Sequence, residues 1–167
     1  STRPGSGRIS PEEEWARIEN VVKAVAEKTN LAVSIDTFYP EVAEKALKAG
    51  AHIINDVTGF APKMWRAAET TDCGCIVMHP GDPDDLNGAG GDILERVRAF
   101  FEKKTTEAEQ RGVNKNRLCF DPGIGFGKTN EENFALIANP EKIRVPGTAL
   151  LMAASRKRGI GAVCGNP

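Results

Sequence analysis

The stretch FDPGIGFGKT, residues 120–129, decides the fold of this chain. An apolar strand ends in the carboxylate of Asp121, a glycine-rich loop follows, and a new helix is expected to begin at Thr129. Loops that follow strands carry the functional groups of α/β proteins. A carboxylate fixed at the end of a strand can accept hydrogen bonds from the N–H edge of a flat heterocycle.

The same stretch ends in Gly127, Lys128 and Thr129, as a phosphate-binding P-loop does. That motif requires a glycine five residues before Gly127, and position 122 is a proline. Because proline has no N–H to donate to a phosphate, we do not expect this loop to bind a nucleoside triphosphate.

The composition is that of a globular protein. The 167 residues predict one domain, 1–167, and 40% apolar residues are enough for a core. A net charge of −1 argues against a broad nucleic-acid surface. No apolar run approaches the length of a membrane span and the start does not resemble a signal peptide, so we expect a cytoplasmic location and no membrane partner.

Two further features concern the cysteines and the ends of the chain. The spacing of the four cysteines, at positions 73, 75, 119 and 164, fits neither a redox CxxC motif nor a zinc site, which predicts reduced thiols. The chain begins without methionine, and neither its start nor its end resembles a natural terminus, so we expect a fragment.

Helical and strand patterns alternate along the chain. Helices are predicted from Pro11, from Pro40 to Gly50, over 61–70 and 92–111, and after a capping box at Thr129. Strands are predicted over 31–35, 52–54, 73–78, 118–120 and 148–154, with a loop after the last one. The strands are almost continuously apolar, which predicts a parallel sheet buried on both faces.

Each predicted strand is followed by a polar residue. These are Asp36, Asn55, His79, Asp121 and Ser155. Because parallel strands all end at the same edge of a sheet, the five side chains are expected to meet at one opening. Taken singly, an aspartate here can equally be a helix cap, and Asn55 with Asp56 can be a turn. His79 is interpreted as a buried structural histidine.

At this point the sequence resembles the dihydropteroate synthase family of pterin-binding enzymes. The matching motifs occur in the family's order and cover nearly the whole chain. They are STRPG (1–5), SIDT (34–37), IINDV (53–57), MH (78–79), FDPGIGFGK (120–128) and SRK (155–157). The segment HPGDP (79–83) departs from the family's usual Met-His-Met pattern, and Arg158-Gly159 replaces its common Ser-Phe.

The resemblance implies a fold and an activity. The fold would be a partial (β/α)₈ TIM barrel containing strands 3 to 7 with their helices. The activity would be the condensation of 6-hydroxymethyl-7,8-dihydropterin pyrophosphate with p-aminobenzoate, releasing pyrophosphate with the help of Mg²⁺. The partners would be these two small molecules, and the full-length family implies a homodimer. No residue of this chain is expected to hold the metal.

The resemblance also implies roles for particular residues. Asp36 and Lys157 would be catalytic. The pterin would be bound by Asp36, Asn55, Met78, Asp121 and Lys157. Thr2 and Arg3 would contact the pyrophosphate, because a guanidinium fork matches phosphate oxygens. Pro4, Phe126 and Ser155 would line the aminobenzoate site.

Two other functions remain open on the sequence alone. One is a pterin-binding methyltransferase domain that acts with a corrinoid protein, against which the motifs SRK (155–157) and TRP (2–4) argue. The other is a truncated barrel without catalytic activity. Such a piece would expose two unpaired sheet edges and apolar surface, and would therefore tend to associate.

Overall fold

A single parallel sheet organises the structure, a computed structural model that describes residues 7–81 and 91–165. The five strands are β1 (Ser34–Asp36), β2 (Ile53–Asp56), β3 (Gly74–Met78), β4 (Leu118–Asp121) and β5 (Ala149–Leu150). They lie side by side in sequence order, and every neighbouring pair is parallel. This order is that of a (β/α) barrel, in which each crossover leads to the adjacent strand.

Helices connect the strands and cover one face of the sheet. They are α1 (Pro11–Lys28), α2 (Pro40–Lys48), α3 (Pro62–Glu69), α4 (Ile93–Gln110), α5 (Asn130–Ala138), α6 (Pro140–Ile143) and α7 (Arg158–Cys164), with a 3₁₀ turn over Lys115–Arg117. Ser10 caps α1 by accepting a hydrogen bond from the N–H of Glu13. Thr129 and Glu132 form the predicted capping box of α5. In the described ranges no helix is both long and apolar enough to cross a membrane.

The core lies between the sheet and these helices. Phe120 of β4 stacks on Phe101 of α4, with ring centroids 4.5 Å apart. Trp65 of α3 packs against Phe60 at 4.7 Å, and both are fully buried. Large aromatic side chains such as these bury much apolar area and help to fix α3 and α4 on the outer face of the sheet. The cysteines at positions 73, 75 and 119 are free thiols, in agreement with the sequence.

The prediction that the strands are buried on both faces is wrong. Ile35 in β1 is buried, whereas Ser34 and Asp36 on either side of it are exposed. In β2 the half-buried Ile53 and Asn55 alternate with buried residues. One face packs against the helices, and the described residues leave the opposite face, which we call the inner face, partly open.

Two strand boundaries also differ from the prediction. Residues 31–33 precede β1, and Leu31 is 67% exposed; its N–H donates to the hydroxyl of Thr29 just after α1. The last strand covers only Ala149–Leu150 of the predicted 148–154. The loop expected after it is instead the short helix α7, which begins at Arg158.

Candidate functional site

Asp36 and Asn55 are neighbours at the carboxyl edge of the sheet. They are register partners in the parallel pairing of β1 with β2. Asp36 is exposed and Asn55 is half-buried. A carboxylate and an amide therefore stand side by side on the inner face, where the amide can both donate and accept hydrogen bonds.

Met78 and Asp121 form the next pair across the edge. They are register partners in the pairing of β3 with β4, and both are buried. Asn55 pairs with Ile76, and Ile76 and Met78 point to the same side because side chains alternate along a strand. The predicted pterin contacts Asp36, Asn55, Met78 and Asp121 thus share the inner face of one sheet.

Asp121 is a buried carboxylate with cations close by. Its Oδ1 accepts a hydrogen bond of 2.7 Å from the N–H of Gly123. Burial raises the pKa of Asp121, while that hydrogen bond and the positive charges of Lys157 and Lys128 oppose the rise. The ionised form of Asp121 is therefore costly in the free protein. A ligand with N–H donors would stabilise this ionised form most.

Lys157 and Phe126 complete this side of the site. The Nζ atom of Lys157 lies 4.6 Å from the centroid of the Phe126 ring. Gly125 lies beneath the lysine, because a β-carbon on that glycine would be 3.3 Å from Cδ of Lys157. Contact with an aromatic face stabilises an ammonium group and limits the positions it can take. Lys157 thus lies against an apolar ring, and its positive charge acts on the carboxylate of Asp121.

Ser155 is exposed in the turn before α7, and within the described ranges no hydrogen bond joins it to Asp121 or Lys157. Thr2, Arg3 and Pro4 fall outside the described residues.

Asp56 has a structural role. The alternative interpretation of Asn55 with Asp56 as a turn is therefore correct for Asp56. Its carboxylate is buried and accepts hydrogen bonds from the N–H and hydroxyl of Thr58, both at 2.7 Å, and from the N–H of Phe60 at 3.0 Å. Phe60 has a φ of 54°, a strained conformation that this bond helps to hold. Asp56 therefore forms the turn, and Asn55 is left to face the site.

His79 also points away from the inner face. Its ring meets the edge of Phe100 on α4 at 5.0 Å, and its Nδ1 accepts a hydrogen bond of 3.3 Å from the N–H of Gly81. Burial and the charges of Lys128 and Arg96 lower the pKa of His79 to about 4, so the ring is neutral at physiological pH. This agrees with the structural role predicted for it, whereas the expectation that His79 meets the other strand-end residues at one opening is wrong.

Two residues that support the site were missed by the sequence reasoning. Lys128, dismissed with the P-loop pattern, is buried and donates to three backbone carbonyls. Asn133, in the first turns of α5, accepts a hydrogen bond of 2.8 Å from the N–H of Gly125 and donates one of 2.7 Å to the carbonyl of Thr129. The role of Lys128 could have been suspected from its position between a glycine-rich loop and the capping box at Thr129.

The described residues do not provide a metal centre. No group of three His, Cys, Asp or Glu side chains within the described ranges could hold an ion. Mg²⁺ therefore remains an expectation from the resemblance, and no chemical step is assigned to it.

The geometry suits a planar, polar ligand on the inner face. Asp121 can accept N–H bonds from one edge of such a ligand, and Lys157 can donate to a carbonyl or ring nitrogen on another. Asn55 lies on the same face two strands away from Asp121, and Asp36 lies one strand further. Phe126 offers an apolar surface beside Lys157.

Comparisons with known proteins agree with this geometry. The chain matches the family described as pterin binding enzyme over residues 1–166. It is 38% identical to the dihydropteroate synthase of Clostridium beijerinckii over 169 residues, covering 100% of this chain and 61% of that relative.

Solved structures give the same result. The structure of Xanthomonas albilineans dihydropteroate synthase with 4-aminobenzoic acid has a TM-score of 0.91 and 36% identity, covering 100% of this chain and 60% of the other. The structure of that enzyme with 7,8-dihydropteroate has a TM-score of 0.87 and 34% identity, covering 95% and 61%.

The similarity confirms the predicted α/β class and partial (β/α)₈ barrel, containing strands 3 to 7 with their helices. The chain spans about 60% of the length of these relatives. The family match covers nearly all residues of the chain, and the sequence identities are higher than a shared fold alone requires. The chain therefore belongs to the pterin-binding enzyme family.

Proposed function

We propose that this protein acts as a dihydropteroate synthase. It would join 6-hydroxymethyl-7,8-dihydropterin pyrophosphate to p-aminobenzoate and release pyrophosphate. One observation carries the proposal: a buried carboxylate, Asp121, flanked by the ammonium of Lys157, on the same inner face as Asp36 and Asn55. The relatives named dihydropteroate synthase and solved with 4-aminobenzoic acid and 7,8-dihydropteroate support it.

Binding of the pterin would use the groups at the carboxyl edge. Asp121 would accept two N–H bonds from the amidine-like edge of the ring in a charge-assisted pair. The amide of Asn55 would form hydrogen bonds with an edge of the pterin that carries both a donor and an acceptor. Lys157 would donate to the ring's carbonyl or nitrogen. Met78 would pack against the ring.

In the reaction the amine nitrogen of p-aminobenzoate forms a bond to the methylene carbon of the pterin. The bond from that carbon to the pyrophosphate oxygen breaks, the oxygen keeps the electron pair, and the amine proton passes to solvent. Asp36 would stabilise positive charge that develops on the pterin as pyrophosphate departs. An arylamine needs no strong base, so no nucleophilic triad is required.

The other roles rest on the resemblance. Thr2 and Arg3 would contact the pyrophosphate, and Pro4, Phe126 and Ser155 would surround p-aminobenzoate. Mg²⁺ bound with the substrate would neutralise the leaving group. We propose a homodimer in the cytoplasm, with no nucleic-acid or membrane partner.

Titration calorimetry with the dihydropterin pyrophosphate tests the proposal. We expect binding by the protein and a loss of at least about tenfold in Asp121→Ala, the size expected for hydrogen bonds to a charged group. Asp72→Ala is the matched control, because Asp72 is exposed in the loop before β3, at the opposite edge of the sheet.

Release of pyrophosphate in the presence of p-aminobenzoate distinguishes this activity from methyl transfer. A protein that fails to bind the pterin, or that demethylates methyltetrahydrofolate, would contradict the proposal.

A further inference from the structure

Lys128 has an unusual environment for a lysine. Its side chain is only 9% exposed, and its ammonium donates to the backbone carbonyls of Phe126 at 3.0 Å, His79 at 3.2 Å and Gly123 at 3.2 Å. An ammonium has three N–H donors, and a buried one is stable only when these are used. The three carbonyls therefore form a fitted site for this one charged group.

Two glycines bring those carbonyls together. Gly123 has a φ of 71°, and a β-carbon there would lie 2.2 Å from the carbonyl oxygen of His79. Gly81 has a φ of 75°, and a β-carbon there would lie 2.4 Å from the carbonyl oxygen of Phe126. The segment after β3 and the loop after β4 are thus in close backbone contact. Converging carbonyl dipoles repel one another, and the positive charge of Lys128 offsets that repulsion.

These contacts form a closed ring of hydrogen bonds that includes Asp121. The N–H of His79 donates to the backbone carbonyl of Asp121 at 2.8 Å, and the N–H of Gly123 donates to its carboxylate at 2.7 Å. Lys128 closes the ring by bonding the carbonyls of both His79 and Gly123. The third bond, to Phe126, fixes the backbone of the residue whose ring contacts Lys157.

We propose that Lys128 is a positioning residue for pterin binding, holding the carboxylate of Asp121 and the ring of Phe126 in place without touching the ligand. The proposal rests on the function proposed above. It assigns a role to a lysine that neither the expected site nor the rejected P-loop motif explains.

The charge of Lys128 gives the proposal a second signature. Burial raises the pKa of Asp121, and three groups lower it: the N–H of Gly123, Lys157 and Lys128. Nearby, Cys119 has a pKa raised by burial and by Asp121, so it is a neutral thiol, and His79 is neutral as well. Removing Lys128 therefore raises the pKa of Asp121 further. Pterin binding, which needs the carboxylate, would then fade at a higher pH.

The test is calorimetric titration of 6-hydroxymethylpterin against the protein between pH 5 and about pH 9, the range in which a carboxyl with a raised pKa can be followed. We expect Lys128→Met to weaken the affinity at the alkaline end by at least about tenfold, the effect of losing an outer partner of a binding group. We also expect the pH at which half the affinity is lost to move upward.

A matched lysine provides the control. Lys104 also bonds a backbone carbonyl, that of Phe60 at 3.1 Å, and pairs with Glu107 at 2.8 Å, but it lies on α4 outside the ring around Asp121. Lys104→Met should lower the melting temperature and leave the affinity and pH profile unchanged. Equal affinity and pH profile in Lys128→Met and the unaltered protein would overturn the inference.

A second variant serves if Lys128→Met does not fold. Lys128→Arg keeps the charge, but a planar fork cannot fill a site shaped for one ammonium. It should keep the pH profile and bind several-fold more weakly; unchanged affinity would overturn the inference. If the unaltered protein does not bind the pterin, the proposed function and this inference are both overturned. If it binds the pterin but the Lys128 variants bind equally well, this inference alone is overturned.

Discussion

At the residue scale, two buried aspartates at strand ends have opposite roles. Burial raises the pKa of both Asp56 and Asp121. Asp56 uses both oxygens within its own turn, accepting from Thr58 and Phe60. In the described part of the chain, the carboxylate of Asp121 accepts one such bond, from Gly123. The second oxygen of Asp121 is thus available to a ligand, and that difference separates the functional carboxylate from the structural one.

Asp121→Asn should therefore weaken pterin binding while stabilising the fold. A carboxyl whose folded pKa is raised opposes folding once the pH exceeds its unfolded value, and this opposition disappears as the pH falls below that value. The amide can still accept the N–H of Gly123. We expect a higher melting temperature than that of the unaltered protein at neutral pH, and a difference that shrinks on acidification. A lower melting temperature at neutral pH would show that the negative charge is net stabilising.

Neighbouring residues 55 and 56 should respond differently to truncation. Asp56→Ala leaves three donors without their acceptor and should lower the free energy of unfolding by about 2 to 3 kcal/mol. Asn55→Ala, at a half-buried position, should cost less than about 1 kcal/mol but weaken pterin binding. Urea denaturation followed by titration of each variant checks both halves. The division of roles fails if Asp56→Ala is as stable as Asn55→Ala.

At the element scale, α5 organises the site loop from outside the sheet. Its capping box fixes the helix start at Thr129, and Glu132 of that box also pairs with Arg96 of α4. One residue later, Asn133 bonds the N–H of Gly125, the glycine over which Lys157 crosses. The position of Lys157 thus depends on a helix that contributes none of the predicted pterin contacts.

Asn133→Leu should disturb both stability and binding. The N–H of Gly125 would lose its acceptor, at a cost of about 1 to 3 kcal/mol, and Lys157 would lose its support. Asn139→Leu is the matched control, because this amide also bonds a backbone carbonyl, that of Ala135 at 2.8 Å, at the far end of α5. Denaturation should show losses in both variants, and pterin titration should show a loss in Asn133→Leu only.

At the scale of the whole molecule, the outer face of the sheet is covered, and no strand in the described ranges pairs with β1 on the side away from β2. Val21 on α1 is 63% exposed and Leu31 is 67% exposed. Val21 also lines an open cleft of about 310 Å³ between α1 and β1, whose other side chains are largely apolar. Exposed apolar surface next to an unpaired strand edge favours association.

The 167-residue polypeptide on its own should therefore bind a hydrophobic dye and associate with increasing concentration. Val21→Lys combined with Leu31→Lys should reduce both effects. Val163→Lys, at a 68% exposed position on α7, controls for added charge. Sedimentation velocity that shows a single monomeric species at all concentrations, without dye fluorescence, would contradict this expectation.

The parts of the fold that local signals control were predictable from the sequence. Proline at the start of α1 and α2 and the capping box of α5 act within one helical turn, and each helix begins where predicted. The edge strands were less predictable. Leu31 has a strand-like neighbourhood in the sequence but belongs to the irregular segment between α1 and β1, and β5 is shorter than its apolar run. At a sheet edge, pairing with the neighbouring strand decides the boundary, and composition does not.

The sequence by itself determined which residue types end each strand. It thereby determined that Asp36, Asn55 and Asp121 stand at one edge, because parallel strands all end at the same edge of a sheet. Only the tertiary structure decided which polar groups are already satisfied. The carboxylate of Asp56 accepts hydrogen bonds within its own turn, and Lys128 donates to the carbonyl of His79, 49 residues away in the chain. Hydrogen bonds between segments so far apart depend on how the loops pack, and no local pattern encodes that packing.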